Sequence, residues 1–279
     1  MNDLQNKILD IFKVVKTICD KHNIRYFAIG GTAIGAERHS GFIPWDDDFD
    51  IAMPNKDFKR FVRLCDSELP SNLKLFLPSD SKHSLIFWAK IHDVNTAFLE
   101  KGTYMWEDYK YGVFIDIMPM YGLPSGKELK KYIRKTKRYK TLSLFKKASF
   151  GQLTLKDKLF SLFLKPLNLF VETNYWLNKL EKYQAKYDFD DCESVGYTWW
   201  YALTTNTIFD RKFFDDFYVL PFEDTFINCC SGNKECLTLH FGNYMELPPV
   251  EERVTHHSVF KIDLKNSYKK YNSKGELEP

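Results

Sequence analysis

Leu4, Ile8, Ile11, Phe12, Val15 and Ile18 recur every three or four positions, the spacing of one apolar helix face, and predict a helix over 3–21 with Asn23 as its stop. RYFAIGG (25–31) reads as a short buried strand ending in two glycines, and TAIGAERH (32–39) as one or two helical turns beginning right after Gly31. A loop with Gly41 and Pro44 leads into DFDIAMP (48–54). There the pattern changes to strict alternation, with Asp48 and Asp50 on one face and Phe49 and Ile51 on the other. DFKRFVRLCDSEL (57–69) returns to helical spacing. Strands are predicted at 73–77, 84–94 and 111–122, the last a buried run, YGVFIDIMPMYG, whose one charge is Asp116. Residues 126–187 read as helical, including a greasy stretch at 159–170 with Pro166 inside it, and from 188 the character is mixed. Interleaved helices and strands give an α/β (α+β) class: a mixed sheet flanked by helices, with no internal repeat.

The chain has 279 residues, 44% hydrophobic and 28% charged, which suits one large globular domain or a domain with a sizeable insertion. Its net charge of +3 hides a segregation. Residues 121–187 carry 16 Lys/Arg against 4 Asp/Glu, and the rest 24 against 33, so an acidic body holds a strongly basic middle. Three parts follow: an N-terminal core at 1–122, a basic helical insertion or subdomain at 123–195, and a C-terminal part at 196–279, the first and last of which the resemblance described below would make the catalytic core and the segment completing its site. The N-terminus lacks the pattern of a secretion signal, and no run of about 18 apolar residues reads as a membrane span. Six scattered cysteines without a CxxC pair fit reduced thiols in a cytoplasmic protein. A zinc site from Cys229, Cys230, Cys236 and His240 is the weaker reading, because adjacent cysteines make an awkward metal pair.

The chemistry concentrates in GFIPWDDDFDIAMP (41–54), where four aspartates sit in an apolar run. Asp48 and Asp50, two apart on a strand, project from one face. Left bare, they repel, and one of them holds a proton. Hard oxygen ligands suit Mg²⁺ or Mn²⁺, and Asp116 on a neighbouring strand supplies a third. Asp46 is a further ligand or a residue that orients the ligands, and Asp47 faces the other way. Gly30, Gly31 and Thr32, between a strand and a helix, place backbone amides and a hydroxyl where a phosphate could sit; the alternative is a plain tight turn. Arg38 and His39 close the following short helix, to neutralise phosphate charge or to pair with the acidic loop. Lys90, in the middle of a hydrophobic strand, points to a site role.

The order strand, Gly-Gly-Thr, helix, acidic loop, Asp-apolar-Asp strand and apolar-Asp-apolar strand resembles the nucleotidyltransferase fold superfamily. GGTAIGAERHSGFIPWDDDFDIAMP (30–54) is similar to the signature of the LicD family of phosphotransferases. AKIHDVNT (89–96), GVFIDIMPMYG (112–122) and HFGNYMELPPVEERVTHH (240–257) resemble further family motifs in the same order. Residues 123–195 match no motif, and Cys229-Cys230 departs from the pattern.

The resemblance implies a metal-dependent transferase. It would move a phosphoryl-alcohol group, phosphocholine foremost, from a CDP-alcohol such as CDP-choline to a sugar hydroxyl of a cell-surface glycan, of teichoic acid or lipopolysaccharide type, and release CMP. Asp48, Asp50 and Asp116 would hold the metal, and Asp116 or Asp46 would accept the proton. It brings Arg253, His256 and His257 from the tail toward the site, with a clasp closing the tail onto the body as the alternative. Trp88, Trp106, Trp199, Trp200 and Tyr201 offer a cage for a quaternary ammonium or simply a core. The acceptor would be lipid-linked, the basic stretch 127–147 either a peripheral contact at the inner face of a membrane or a solvated helix face, and nucleic acid no partner. Two rivals are nucleotidyl transfer in the same fold and a non-catalytic glycan- or membrane-binding module.

Overall fold

A computed structural model describes residues 1–147, 170–197, 207–255 and 257–278; the expected apolar helix at 159–170 lies almost wholly outside the described residues. Helix α1 (Asp3–His22) buries Ile8, Ile11, Phe12, Val15 and Ile18 along one face. Its N-terminus is a reciprocal cap between Asn2 and Gln5, and Asn23 ends it in the left-handed conformation. Strand β1 is short (Phe27–Ala28), because α2 (Gly30–His39) begins at the glycine pair. There follow β2 (Asp50–Pro54), α3 (Asn55–Glu68), β3 (Leu73–Phe76), β4 (Ala89–Asp93), β5 (Ala97–Glu100) and β6 (Phe114–Leu123).

The helices α4 (Gly126–Lys147) and α5 (Tyr175–Gln184) pack on one another. The rest is β7 (Ser194–Tyr197), β8 (Ile208–Asp210), a hairpin of β9 (Phe217–Phe222) and β10 (Thr225–Cys230), α6 (Asn233–Phe241) and β11 (Val259–Asp263).

The main sheet runs β1-β2-β6-β4-β3, with β7 added to β6 and β8 to β7. Among the described residues only β2 and β6 pair in parallel. This is the mixed α+β architecture expected from the sequence. Both faces of the sheet are covered. Ile51, Met53, Ile115 and Ile117 join the core under α1 and α3, whereas Ala52, Phe114, Met118 and Met120 join a second core on the other face. Side chains alternate along a strand, so Asp50 and Asp116 fall on the second face. The candidate site lies on that face. Outside the main sheet, β11 pairs with β5 and brings the tail alongside it.

Candidate active site

Strand register assembles the centre. Asp50 on β2 stands opposite Asp116 on β6, and Asp116 stands opposite Lys90 on β4. The three form one row across three strands, each under 5% exposed. Lys90 Nζ donates to Asp116 Oδ1 at 2.8 Å and lies 3.3 Å from the Phe114 ring centroid. The lysine singled out by its apolar surroundings is thus the counter-charge of the third aspartate.

The backbone of Asp50 is fixed from both sides. Its N–H donates to Thr32 Oγ1 at 2.8 Å, and its carbonyl accepts from Ile29 N–H at 3.2 Å. The Thr32 hydroxyl, expected to face a phosphate, is buried and acts here as a strap on the strand. Asp116 N–H donates to the Phe49 carbonyl, so both aspartates sit on backbone that the fold holds rigidly.

Upstream, Asp46 and Asp48 line a cleft of about 670 Å³ together with Asp50, Gly31, Ile34, Arg38 and Trp45. Residues of the tail, Tyr244, Glu246, Leu247, Pro248 and Glu252, form the opposite wall. Gly31 permits this packing, since a Cβ there would lie 2.5 Å from Asp46 Oδ2. Gly30 opens α2 at φ +57°, a region that glycine enters without a Cβ clash. The amides of Gly31 and Thr32 precede the first helical hydrogen bond, from Ala33 N–H to the Ile29 carbonyl, and have no partner within the helix.

Asp47 turns the other way, as expected. Its Oδ1 is 3.1 Å from Nδ1 of His257, which is wedged between the rings of Phe98 and Phe114. His257 is therefore the clasp of the two roles considered. Burial on its own would lower the imidazole, but the Asp47 hydrogen bond and the nearby Asp48 and Glu100 outweigh it and hold the ring above its ordinary value.

The carboxylates of the cleft strain against each other. Burial, then the charge of Asp48, pushes Asp46 up to about 9. Burial, then Asp48, Asp116 and Asp46, raises Asp50 well above its usual range, with Lys90 pulling back. Asp116 is raised by burial against the opposing pull of Lys90. Asp47 Oδ2 is buried with no hydrogen-bond partner among the described residues. The loop thus holds more negative oxygen than the protein itself neutralises, and an all-oxygen set of this kind fits a hard divalent cation. As the side chains stand, no group of three or more Asp, Glu, His or Cys among the described residues is placed to hold a metal ion. Asp48, Asp50 and Asp116 are neighbours in the fold, and Lys90 holds Asp116.

Arg38 donates to the carbonyls of Tyr244, at 2.6 Å, and Glu246, at 3.1 Å, and so ties α2 to the tail. Burial, then the charge of Arg253, lowers its guanidinium. Arg253 stands 5.4 Å over the Trp45 ring. His39, lowered by burial and Arg38, sits beside Arg38 and does not line the cleft. His256 lies outside the described residues.

Of the five aromatics offered as a cage or a core, the two described ones take the core reading. Trp88 is buried in the second core and Trp106 stacks on His83, while Trp199, Trp200 and Tyr201 lie outside the described residues. The aromatics that line the cleft are Trp45, Phe241 and Tyr244. The zinc reading fails among the described residues: Cys230 and Cys236 meet at 4.0 Å in one core, and Cys229 packs in the other. Sequence reasoning also missed Gln5, whose amide Nε2 donates to the carbonyls of Ile43 and Asp46 and tethers the acidic loop to α1. Its signal was a polar residue on the buried face of an amphipathic helix.

Comparison with known proteins places these features. Residues 23–155 match the LicD/FKTN/FKRP nucleotidyltransferase domain. The chain is 29% identical over 266 residues to the lipopolysaccharide cholinephosphotransferase LicD of Haemophilus influenzae, covering 92% of this chain and 96% of that protein. Two uncharacterized proteins, from Rickettsia typhi and Rickettsia prowazekii, are 36% and 41% identical over 63 and 54 residues, each about a fifth of either chain. One resemblance thus runs nearly end to end along a cholinephosphotransferase, and the matched LicD/FKTN/FKRP nucleotidyltransferase domain spans the Gly-Gly turn, the acidic loop and Asp116 of this chain.

Proposed function

We propose that this protein transfers phosphocholine from CDP-choline to a sugar hydroxyl of a lipopolysaccharide-type glycan and releases CMP. The observation that carries the reading is the cleft walled by Asp46, Asp48 and Asp50 and opening beside the N-terminus of α2, in a chain that follows a cholinephosphotransferase over 96% of that protein's length.

Each group has a task. The diphosphate would lie against the amides of Gly31 and Thr32, where a helix start favours anions. Arg38 and Arg253 would supply positive charge at the rim. Mg²⁺ or Mn²⁺, when held by Asp48, Asp50 and Asp116, would neutralise phosphoryl oxygens and the departing CMP. Lys90 keeps Asp116 in place. As the bond from phosphorus to the CMP oxygen breaks and the bond to the sugar oxygen forms, Asp46 would take the hydroxyl proton. Burial and Asp48 hold the Asp46 proton tightly in the bare cleft. It serves as a base only after the charge around it is balanced, which couples proton transfer to donor loading. Such chemistry is largely positioning and electrostatics.

The test is a panel of CDP-alcohols with Mg²⁺, followed for CMP. CDP-choline is expected to give CMP, and Asp48→Ala and Asp50→Ala to abolish it with the circular dichroism unchanged. Full turnover in either variant refutes the assignment. Pyrophosphate released from a nucleoside triphosphate, in place of CMP, marks nucleotidyl transfer instead.

A further inference from the structure

The basic middle of the chain is sorted by the fold. Of the ten Lys and Arg on α4, Lys140 and Lys147 are buried, and Lys147 donates to the carbonyls of Pro78 and Ser81. Lys127, Lys130, Lys131, Arg134, Lys137 and Arg138 are all exposed. At 3.6 residues per turn these six fall within an arc of about 120°. Of the buried positions, Tyr132, Thr136, Lys140, Ser143 and Lys147 occupy the opposite side, and Phe145, about two turns beyond the last of the six cations, is buried on theirs. The one acid among the exposed residues of α4, Glu128, is 3.4 Å from Lys131.

The charge continues onto the neighbouring helix and the turn beyond it. Lys179, Lys182 and Lys186 are exposed at helical spacing. Lys135 of α4 and Lys186 both stand over the Tyr183 ring, at 4.4 and 5.7 Å, which joins the two stripes. Of the acids beside them, Glu181 is turned to Lys59 at 3.6 Å and Glu172 is exposed. Tyr175, which begins α5, and Phe170 before it present exposed rings, 39% and 97% accessible.

We propose that the exposed face of α4, extended by Lys179, Lys182 and Lys186, is a docking surface for an anionic lipid bilayer. A convex row of cations, with aromatic rings at one end, is the form that lies flat on charged headgroups. A nucleic-acid site would need a groove and side chains that read or stack on bases. Six of the eight exposed α4 positions are Lys or Arg and none is aromatic, and the remainder of the chain is net acidic and would repel a long polyanion. The inference is independent of the transfer chemistry.

The test is co-sedimentation of the full chain with phosphatidylcholine vesicles, with and without phosphatidylglycerol. Binding is expected only to the mixed vesicles and is expected to fall as salt is added. The variant Lys130→Gln/Arg134→Gln/Lys137→Gln should bind them about a hundredfold more weakly, roughly fivefold per charge. The equal-charge control Lys265→Gln/Lys269→Gln/Lys270→Gln, exposed elsewhere, should bind like the parent. Three outcomes overturn the proposal: equal binding to neutral vesicles or to neither kind, equal loss in both variants, or tighter binding to a single-stranded RNA homopolymer than to the anionic vesicles. Because every substituted side chain is exposed, unchanged melting temperatures should accompany the result.

Discussion

Replacing Lys90 by Met removes the ammonium while leaving a stem of similar length in the core. Lys90 and Asp116 are 2% and 4% exposed and joined at 2.8 Å. The variant leaves a carboxyl beside Asp50 in a nearly dry site. If Asp116 stays ionised, breaking a buried pair costs ~3–5 kcal/mol. If it takes a proton, an ordinary carboxyl costs ~4 kcal/mol at pH 7, from about three pH units at 1.36 kcal/mol each. Burial already raises Asp116 and Asp50, so the protonation route is cheaper than that limit. The loss near neutrality should be about 3 kcal/mol. The pH dependence follows from the sign of the shift. A carboxyl whose folded value lies above its unfolded value stabilises most below the unfolded range and loses that contribution as pH rises through the folded one. The gap between parent and variant should therefore narrow by about 1–3 kcal/mol between pH 7.5 and 5.5. Urea unfolding followed by tryptophan fluorescence at both pH values measures it. The double variant Lys90→Met/Asp116→Asn should recover most of the loss, because no unpaired charge remains. A gap equal at both pH values, or a double variant as unstable as the single one, refutes the claim that Lys90 holds a buried charge.

Gly31→Ala puts a methyl against Asp46 Oδ2 and should cut CMP release more than tenfold while costing under ~2 kcal/mol in stability; unchanged turnover would detach Asp46 from the chemistry. Thr32→Val orphans the Asp50 N–H and should cost ~1–3 kcal/mol by urea unfolding, with Thr32→Ser close to the parent. His257→Leu strips Asp47 of its partner. Since the imidazole is raised, its contribution is full below about 6.5 and fades as pH climbs through the folded value. The gap to the parent should thus be wider at pH 6 than at pH 8.5.

What the sequence disclosed is what local periodicity encodes. The apolar spacing in 3–21 fixed the buried face of α1, and alternation around Phe49 and Ile51 placed Asp50 on the face opposite the α1 core. Lys90 stood out because no solvated position explains a lysine between Ala89 and Ile91. The extent of β1 was overstated, since the glycine pair belongs to the helix and not to the strand. The single run expected at 84–94 is a shorter strand at 89–93, and β5 at 97–100 was missed because its partner β11 lies some 160 residues away. The lysines of 127–147 looked equivalent in sequence, yet the fold buries two of them and stands Lys135 on Tyr183.

The cleft wall was harder to read, because no periodic pattern marks it. Tyr244, Glu246, Leu247 and Pro248 are largely exposed residues of an irregular tail, so hydrophobic spacing has nothing to report there. Two polar ties bring this wall to the acidic loop. Arg38 reaches the carbonyls of Tyr244 and Glu246 on one side of it, and His257 reaches Asp47 on the other. Both ties start from residues near the carboxylates: Arg38 lies in the last turn of the helix that Gly30 begins, and Asp47 sits between Asp46 and Asp48. Charge placed for the site therefore also folds the tail over it. That double use explains why Asp47 remains in a loop already crowded with acids, where a neutral residue would have lessened the repulsion on Asp46. The repulsion that a fourth carboxylate adds is offset by its hydrogen bond to His257, which ties the tail beside the loop in which the other three stand.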